Sequence, residues 1–333
     1  MGSSDVPPSH VPDWVIPIST AALGVGVLCW DAVYVLMTLR SLRTKSYSMP
    51  LLGLALNVSW EIVYALYVCE APLETAGFTI WLLLDIGLVY TTIKFAPHEW
   101  NKTSPWVGRN MAAILGGMTA VGCVGHFAFV SWWLSRPGIG HGDKTGKWYF
   151  GQDKFDTTEL AYWSAGVVQL VDSAGALAML LVRGHSGGTS FLICLDVTGV
   201  DAVLGRDIRL MAANATDVDW LGRVPDSHRV IVLHPSDYTV IANLVFYKRF
   251  CRITGTVFGL GVNSALLWYW WPEAHGYFVN PLGIFILGTA LIIDLLYPFV
   301  LWQVRRTEVI LQDGRIVSGS EAGDIQTVGK KNL

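Results

Sequence analysis

The stretch NVSWEIVYAL, residues 57 to 66, sets one glutamate inside a run that is otherwise suited to lipid. In a helix, Asn57, Trp60, Glu61 and Tyr64 stand at i, i+3, i+4 and i+7, so they share one face. A charged side chain at mid-bilayer costs roughly 2.5 to 3.5 kcal/mol on insertion scales, so such a face turns toward the interior of a helix bundle. The stretch therefore predicts a membrane-spanning helix with a polar and aromatic inner stripe.

The rest of the chain agrees. Of its 333 residues 52% are hydrophobic and only 15% charged, with 15 tryptophans and a mean hydropathy of +0.44. That is the composition of a membrane protein. A spanning helix needs about 20 largely apolar residues. Seven runs qualify: 14 to 39, 50 to 69, 76 to 95, 110 to 134, 159 to 182, 251 to 271 and 281 to 304. The expected fold is all-α, a polytopic seven-transmembrane-helix bundle. Residues 1–13 form a short tail, 14–182 hold helices 1 to 5, 183–250 a loop, 251–304 helices 6 and 7, and 305–333 a C-terminal tail.

The positive-inside rule orients the bundle. Arg40, Arg43 and Lys45 follow helix 1, Lys94, Lys102 and Arg109 lie between helices 3 and 4, and Arg305 and Arg306 follow helix 7. Arg183, Lys248, Arg249 and Arg252 flank the segment between helices 5 and 6. All fall on one side. The first 13 residues hold no Lys or Arg and two early prolines, unlike the basic leader of a cleaved signal peptide. The N-terminus is expected in the lumen and the C-terminus in the cytosol, in the endoplasmic reticulum membrane. Only the loop with Arg136, Lys144, Lys147 and Lys154 dissents, and it is mixed with acids. The sequons at Asn57, Asn101 and Asn214 then stay unglycosylated, and a net charge of -3 points to no nucleic-acid partner.

Within the loop, about 195 to 247 is polar and too interrupted to span. It reads as a tolerated insertion, or retained non-coding sequence, rather than a cytosolic subdomain. The five cysteines show no CxxC spacing and read as small core residues.

Five carboxylates fall inside the predicted spans: Asp31, Glu61, Asp85, Asp172 and Asp294. Each taken alone fits an interhelical hydrogen bond as well as a function, but five together exceed what packing requires. Helix 7 pairs Asp294 with Tyr297, helix 3 pairs Trp81 with Asp85, and helix 1 pairs Asp31 with Tyr34. Glu61 and Asp294 both count to the bilayer midplane and are expected to share one aromatic-walled chamber. A carboxyl in apolar surroundings keeps its proton more readily and becomes a general acid. Aromatic faces attract cations by up to about 2 kcal/mol when desolvated, and exclusion of water protects reactive intermediates. Protonating an apolar substrate and steering the resulting carbocation uses all three.

These residues also carry a resemblance. The WE of NVSWEIVYAL, DIGLVYTTIKF (85 to 95), RGHSGGTS (183 to 190), WWPE (Trp270 to Glu273) and DLLYPFVLWQV (294 to 304) resemble the seven-helix integral-membrane terpene cyclases of fungal meroterpenoid and indole-diterpene pathways. The resemblance runs from helix 1 to about residue 306, except for the 195–247 insertion, which the family lacks. It implies protonation of a terminal epoxide on a prenyl chain, cation-olefin ring closure and loss of a proton. The catalytic residues it implies are Glu61 and Asp294, and Asn57, Trp60, Tyr64, Trp81, Asp85 and Tyr297 are the expected substrate-binding residues. The expected partners are a hydrophobic prenylated small molecule and the lipid bilayer. Neither the DDxxD run that holds magnesium in diphosphate-ionising cyclases nor DxDD occurs, so no metal and no cofactor are expected. The alternatives are a proton-coupled transporter and a seven-helix sensor. Seven helices do not divide into equal inverted halves, and 281 to 304 lacks the lysine a retinal Schiff base needs.

Overall fold

The computed structural model describes residues 2–189, 251–311 and 314–322; the 195–247 insertion lies outside them. Six helices are long and apolar enough to cross a membrane. They are α1 (Val15–Thr44), α2 (Leu51–Val63, continued by a π turn Tyr64–Val68), α3 (Pro72–Glu99), α5 (Met111–Leu134), α6 (Thr157–Arg183) and α10 (Pro281–Arg305), with a short α4 (Pro105–Arg109) before α5. Each coincides with a predicted span to within a turn or so.

The seventh predicted span, 251 to 271, is helical but not one regular helix. It consists of α7 (Cys251–Thr256), a π turn (Val257–Val262) and α8 (Asn263–Trp270), so the count of long spans among the described residues is six. The cause is local. Gly255, Gly259 and Gly261 leave the backbone free to widen into the π turn. The same glycines let α1 come close, for a Cβ on Gly26 would lie 2.5 Å from the Gly259 Cα.

Helix ends follow the expected chemistry. Asp156 caps α6 by accepting from the Glu159 amide at 2.9 Å, and Gly184 closes it at φ 65. Asn280 caps α10 by accepting from the Leu282 amide, with Pro281 in the first turn.

Helix α2 is the most enclosed span, packed by α3, α5 and α6, while α6 packs on α10 and α1 on α3 and the α7–α8 run. Outward positions such as Leu83, Val121, Val182 and Ile292 are exposed apolar residues, which fits a lipid-facing surface. Sheet among the described residues is confined to two hairpins. One pairs β1 (Trp148–Tyr149) with β2 (Gln152–Asp153) before α6, and the other pairs β3 (Glu308–Ile310) with β4 (Ile316–Ser318) after α10. Short α9 (Pro272–His275) and a 3-10 turn (Gly276–Val279) lead into α10.

Candidate active site

The inner faces of α1, α2, α3, α6 and the α7–α8 run enclose a cavity of about 750 Å³, within the size range of sites for drug-sized ligands. Asn57, Trp60 and Glu61 of α2 reach its wall. Asn57 lies at the centre of a polar knot. Its Nδ2 stands 2.8 Å from Glu61 Oε1, 2.9 Å from Asp85 Oδ2 and 2.8 Å from Tyr34 Oη. One amide thus gathers the carboxyl groups of two helices. Their outer oxygens, Glu61 Oε2 and Asp85 Oδ1, are buried and accept no hydrogen bond from the described residues. Of the two acids, only Glu61 lines the cavity.

Facing this knot is an aromatic wall. Trp60, Phe78 and Trp81 line the cavity, with ring centroids 5.0 Å apart for Trp60 and Phe78 and 5.3 Å for Phe78 and Trp81. Trp60 is fixed by donating Nε1 to Ser164 Oγ at 2.9 Å, and the same hydroxyl meets Tyr64 Oη at 2.6 Å. The wall offers π faces to a cation and leaves few rotamers open.

The end of the cavity beyond Glu61 is sealed by charge. Lys147 and His275 line it, and Lys147 Nζ donates to Asp5 Oδ2 at 2.7 Å and lies 3.0 Å from His275 Nε2. Lys144 binds Asp156 at 2.9 Å and also Glu159, and both lysines are almost wholly buried. Burial works against the charge on Asp156, but Lys147 and Lys144 outweigh it and hold its carboxyl at about 2. Burial, then the Lys147 charge, push His275 down to about 3, so the ring is neutral and its Nε2 accepts from Lys147.

A wall of tilted and edge-to-face rings beside a buried carboxyl group is an arrangement for a proton and a cation. Comparison with known proteins decides what it belongs to. A profile of Pyr4-like transmembrane terpene cyclases matches residues 3–199 and 249–307. The chain belongs to this family. It is 34% identical to Terpene cyclase ascF of Acremonium egyptiacum, over 97% of this chain and 94% of that one. Terpene cyclase penB of Penicillium crustosum is 28% identical, over 93% of this chain and 95% of its own, and Terpene cyclase ptmB of Penicillium ochrochloron 29%, with the same shares. No solved structure matches. The profile leaves residues 200–248 unmatched, within a few residues of the segment read as an insertion.

In this membrane terpene cyclase the expected site residues divide. Asn57, Trp60, Glu61 and Trp81 line the cavity, and Asp85 stands behind Asn57. Tyr64 shares their helical face but turns into the packing between α2 and α6, against Ser164 and Phe78. Helix α10 contributes no side chain to the cavity wall. Asp294 is buried against α6, where Gln169 Nε2 donates to its Oδ2 at 3.1 Å, and Gln169 itself lines the cavity. Asp294 is thus one hydrogen bond behind the wall rather than in the chamber with Glu61. Tyr297 lies farther off, donating to Thr189 Oγ1 at 3.1 Å beside Ala176 and Leu180.

Phe78, Gln169 and the Lys147–His275 seal are absent from the sequence-based site. Phe78 precedes Trp81 by three residues and Gln169 precedes Asp172 by three, so helical spacing marks both. The seal joins residues 5, 147 and 275, and no local pattern reveals it. Among the described residues no cluster of three His, Cys, Asp or Glu side chains is arranged to hold a metal ion.

Proposed function

We propose that this terpene cyclase protonates an epoxidised prenyl chain at Glu61 and folds the resulting carbocation against Trp60, Phe78 and Trp81. The observation that carries the reading is the buried Glu61 carboxyl on the cavity wall, with one oxygen anchored by Asn57 and the other free of donors. Proton transfer from Glu61 to the epoxide oxygen breaks its bond to the tertiary carbon. The oxygen becomes a hydroxyl, and the cation is captured by successive chain double bonds. Loss of a proton ends the sequence, so product and substrate are isomers. Asp85 holds Glu61 through Asn57. Asp294 orients Gln169 at the wall. The reaction needs no metal.

The test is expression in a host without such pathways, fed a panel of epoxidised farnesyl and geranylgeranyl compounds. A cyclic isomer of unchanged mass is expected from at least one. Absence of any isomer across the panel would reject the epoxide-opening reading.

The proposed home is the endoplasmic reticulum membrane, with a lumenal N-terminus and a cytosolic C-terminus. The dissenting loop is outvoted by the basic residues of the other segments, and its Lys144 and Lys147 are buried on carboxylates. In sealed microsomes a tag after Leu333 should be cut by added protease while a tag before Met1 is protected. Protection of the C-terminal tag would reverse the orientation.

A further inference from the structure

The cavity has a side door. Among its lining residues, the exposed ones sit on two helices only: Thr20, Ala21, Leu23, Val25 and Leu28 of α1 and Leu73 of α3. The lining residues of the other described elements are buried or half-buried. Toward α7 and α8, Gly26 lies against Gly259 and Trp30 against Gly255. The N-terminal tail covers the sealed end, with Ser4 Oγ donating to Glu70 Oε1 at 2.7 Å, the Gly2 amide to Thr157 Oγ1 at 3.1 Å and Asp5 locked on Lys147.

The seam between α1 and α3 is not uniform along its length. Where the helices are tight, a Cβ on Gly87 would come 2.8 Å from Thr38 Oγ1. Fourteen residues back on α1 and ten back on α3, at Gly24 and Gly77, an added Cβ would meet nothing within 4 Å. At about 1.5 Å per residue those steps are roughly 21 and 15 Å. The two glycines therefore stand at comparable heights where the seam has opened, and both line the cavity. The residues around them are mostly apolar, with Ser19, Thr20 and Glu74 the polar members of the lining there, and the opening lies within spans α1 and α3, toward their N-terminal ends.

We propose that the gap between α1 and α3, bordered by Gly24 and Gly77, is the portal through which the prenyl chain enters from the bilayer and the product returns to it. A long polyene partitions into lipid, and a lateral route brings it to Glu61 without passing the charged seal or admitting bulk water. The absence of side chains at Gly24 and Gly77 keeps the passage wide enough for a branched isoprenoid.

This inference rests on the cyclase reading, and its test separates the two. Gly24 and Gly77 are replaced singly by Ala, Leu and Trp, with Gly125→Trp as control, since Gly125 on α5 has open space around it away from the cavity. Each variant is reconstituted in nanodiscs, its fold checked by thermal melting, and the substrate is supplied in the lipid. The Ala variants should show the smallest loss. The Leu and Trp variants should lose kcat/KM in order of size, at least about 10-fold for Trp, with melting unchanged. Gly125→Trp should stay at the wild-type rate. Should a Trp variant fail to accumulate, the Leu variant reads the same trend. Wild-type kcat/KM in both folded Leu variants would overturn the portal while leaving the cyclase standing. No product from wild type across the substrate panel would sink the cyclase reading itself.

Discussion

Glu61→Gln should abolish most turnover while the protein inserts and accumulates normally. Glutamine keeps the length of the side chain and can still meet Asn57, whose amide anchors Glu61 at 2.8 Å. It cannot hand a proton to an epoxide. General acid catalysis typically contributes about 100-fold to 10,000-fold, and the loss should fall in that range at matched membrane levels. Asp294→Asn should lower activity less, because Asp294 reaches the cavity only through Gln169. Gln169→Leu should lower it at least as much, since it removes the donor that ties Asp294 to the wall. Changes at Asp31, which does not line the cavity, should be milder in rate or lower protein levels. Near-normal product from well-folded Glu61→Gln would reject the assignment.

The second large effect is on stability. Lys144→Met removes the cation shared by Asp156 and Glu159, which are fully buried. Breaking a buried ion pair by deleting one partner costs about 3–5 kcal/mol, because the remaining charge has no counterpart. Thermal melting in nanodiscs should drop by roughly 10 °C at that cost, whereas Lys154→Met, on an exposed residue of the same loop, should leave it unchanged. The seal also predicts a pH profile. His275 is neutral in the fold down to about 3, whereas in an unfolded chain it takes up a proton below its ordinary value of 6.5. The unfolded state therefore binds more protons through that window, and stability falls as pH drops from about 6.5 toward 3. Asp156, held at about 2, adds a further loss below its ordinary value of 3.8. His275→Gln should flatten the upper part of the curve, and an unchanged slope would show that the neutral imidazole is not its source.

What the chain revealed before folding follows from the range of each signal. Spans were legible because lipid demands long apolar runs, and the six long helices begin and end within a turn or so of their predicted bounds. The run from 251 departed from regularity where Gly255, Gly259 and Gly261 admit a π turn. Within one helix, periodicity placed Asn57, Trp60 and Glu61 together on the wall. It overreached at Tyr64, on the same stripe but nearer the helix end, which packs against Ser164 of α6. Relations between helices were less legible. The rotation of α10 about its axis is set by packing against α6, so matched depth did not bring Asp294 into one chamber with Glu61. The seal depends on a tail, a loop and the end of the short helix α9, separated by more than a hundred residues, and only tertiary structure assembles it.

The most direct measurement of proton-initiated cyclisation uses purified wild-type and Glu61→Gln protein in matched nanodiscs, with an accepted epoxyprenyl compound and a metal chelator present. Mass spectrometry and NMR follow the product. Wild type should give a cyclic alcohol of the same mass as the substrate, and Glu61→Gln should give at least about 100-fold less. Equal product from the two proteins, or loss of wild-type activity to the chelator, would contradict the account.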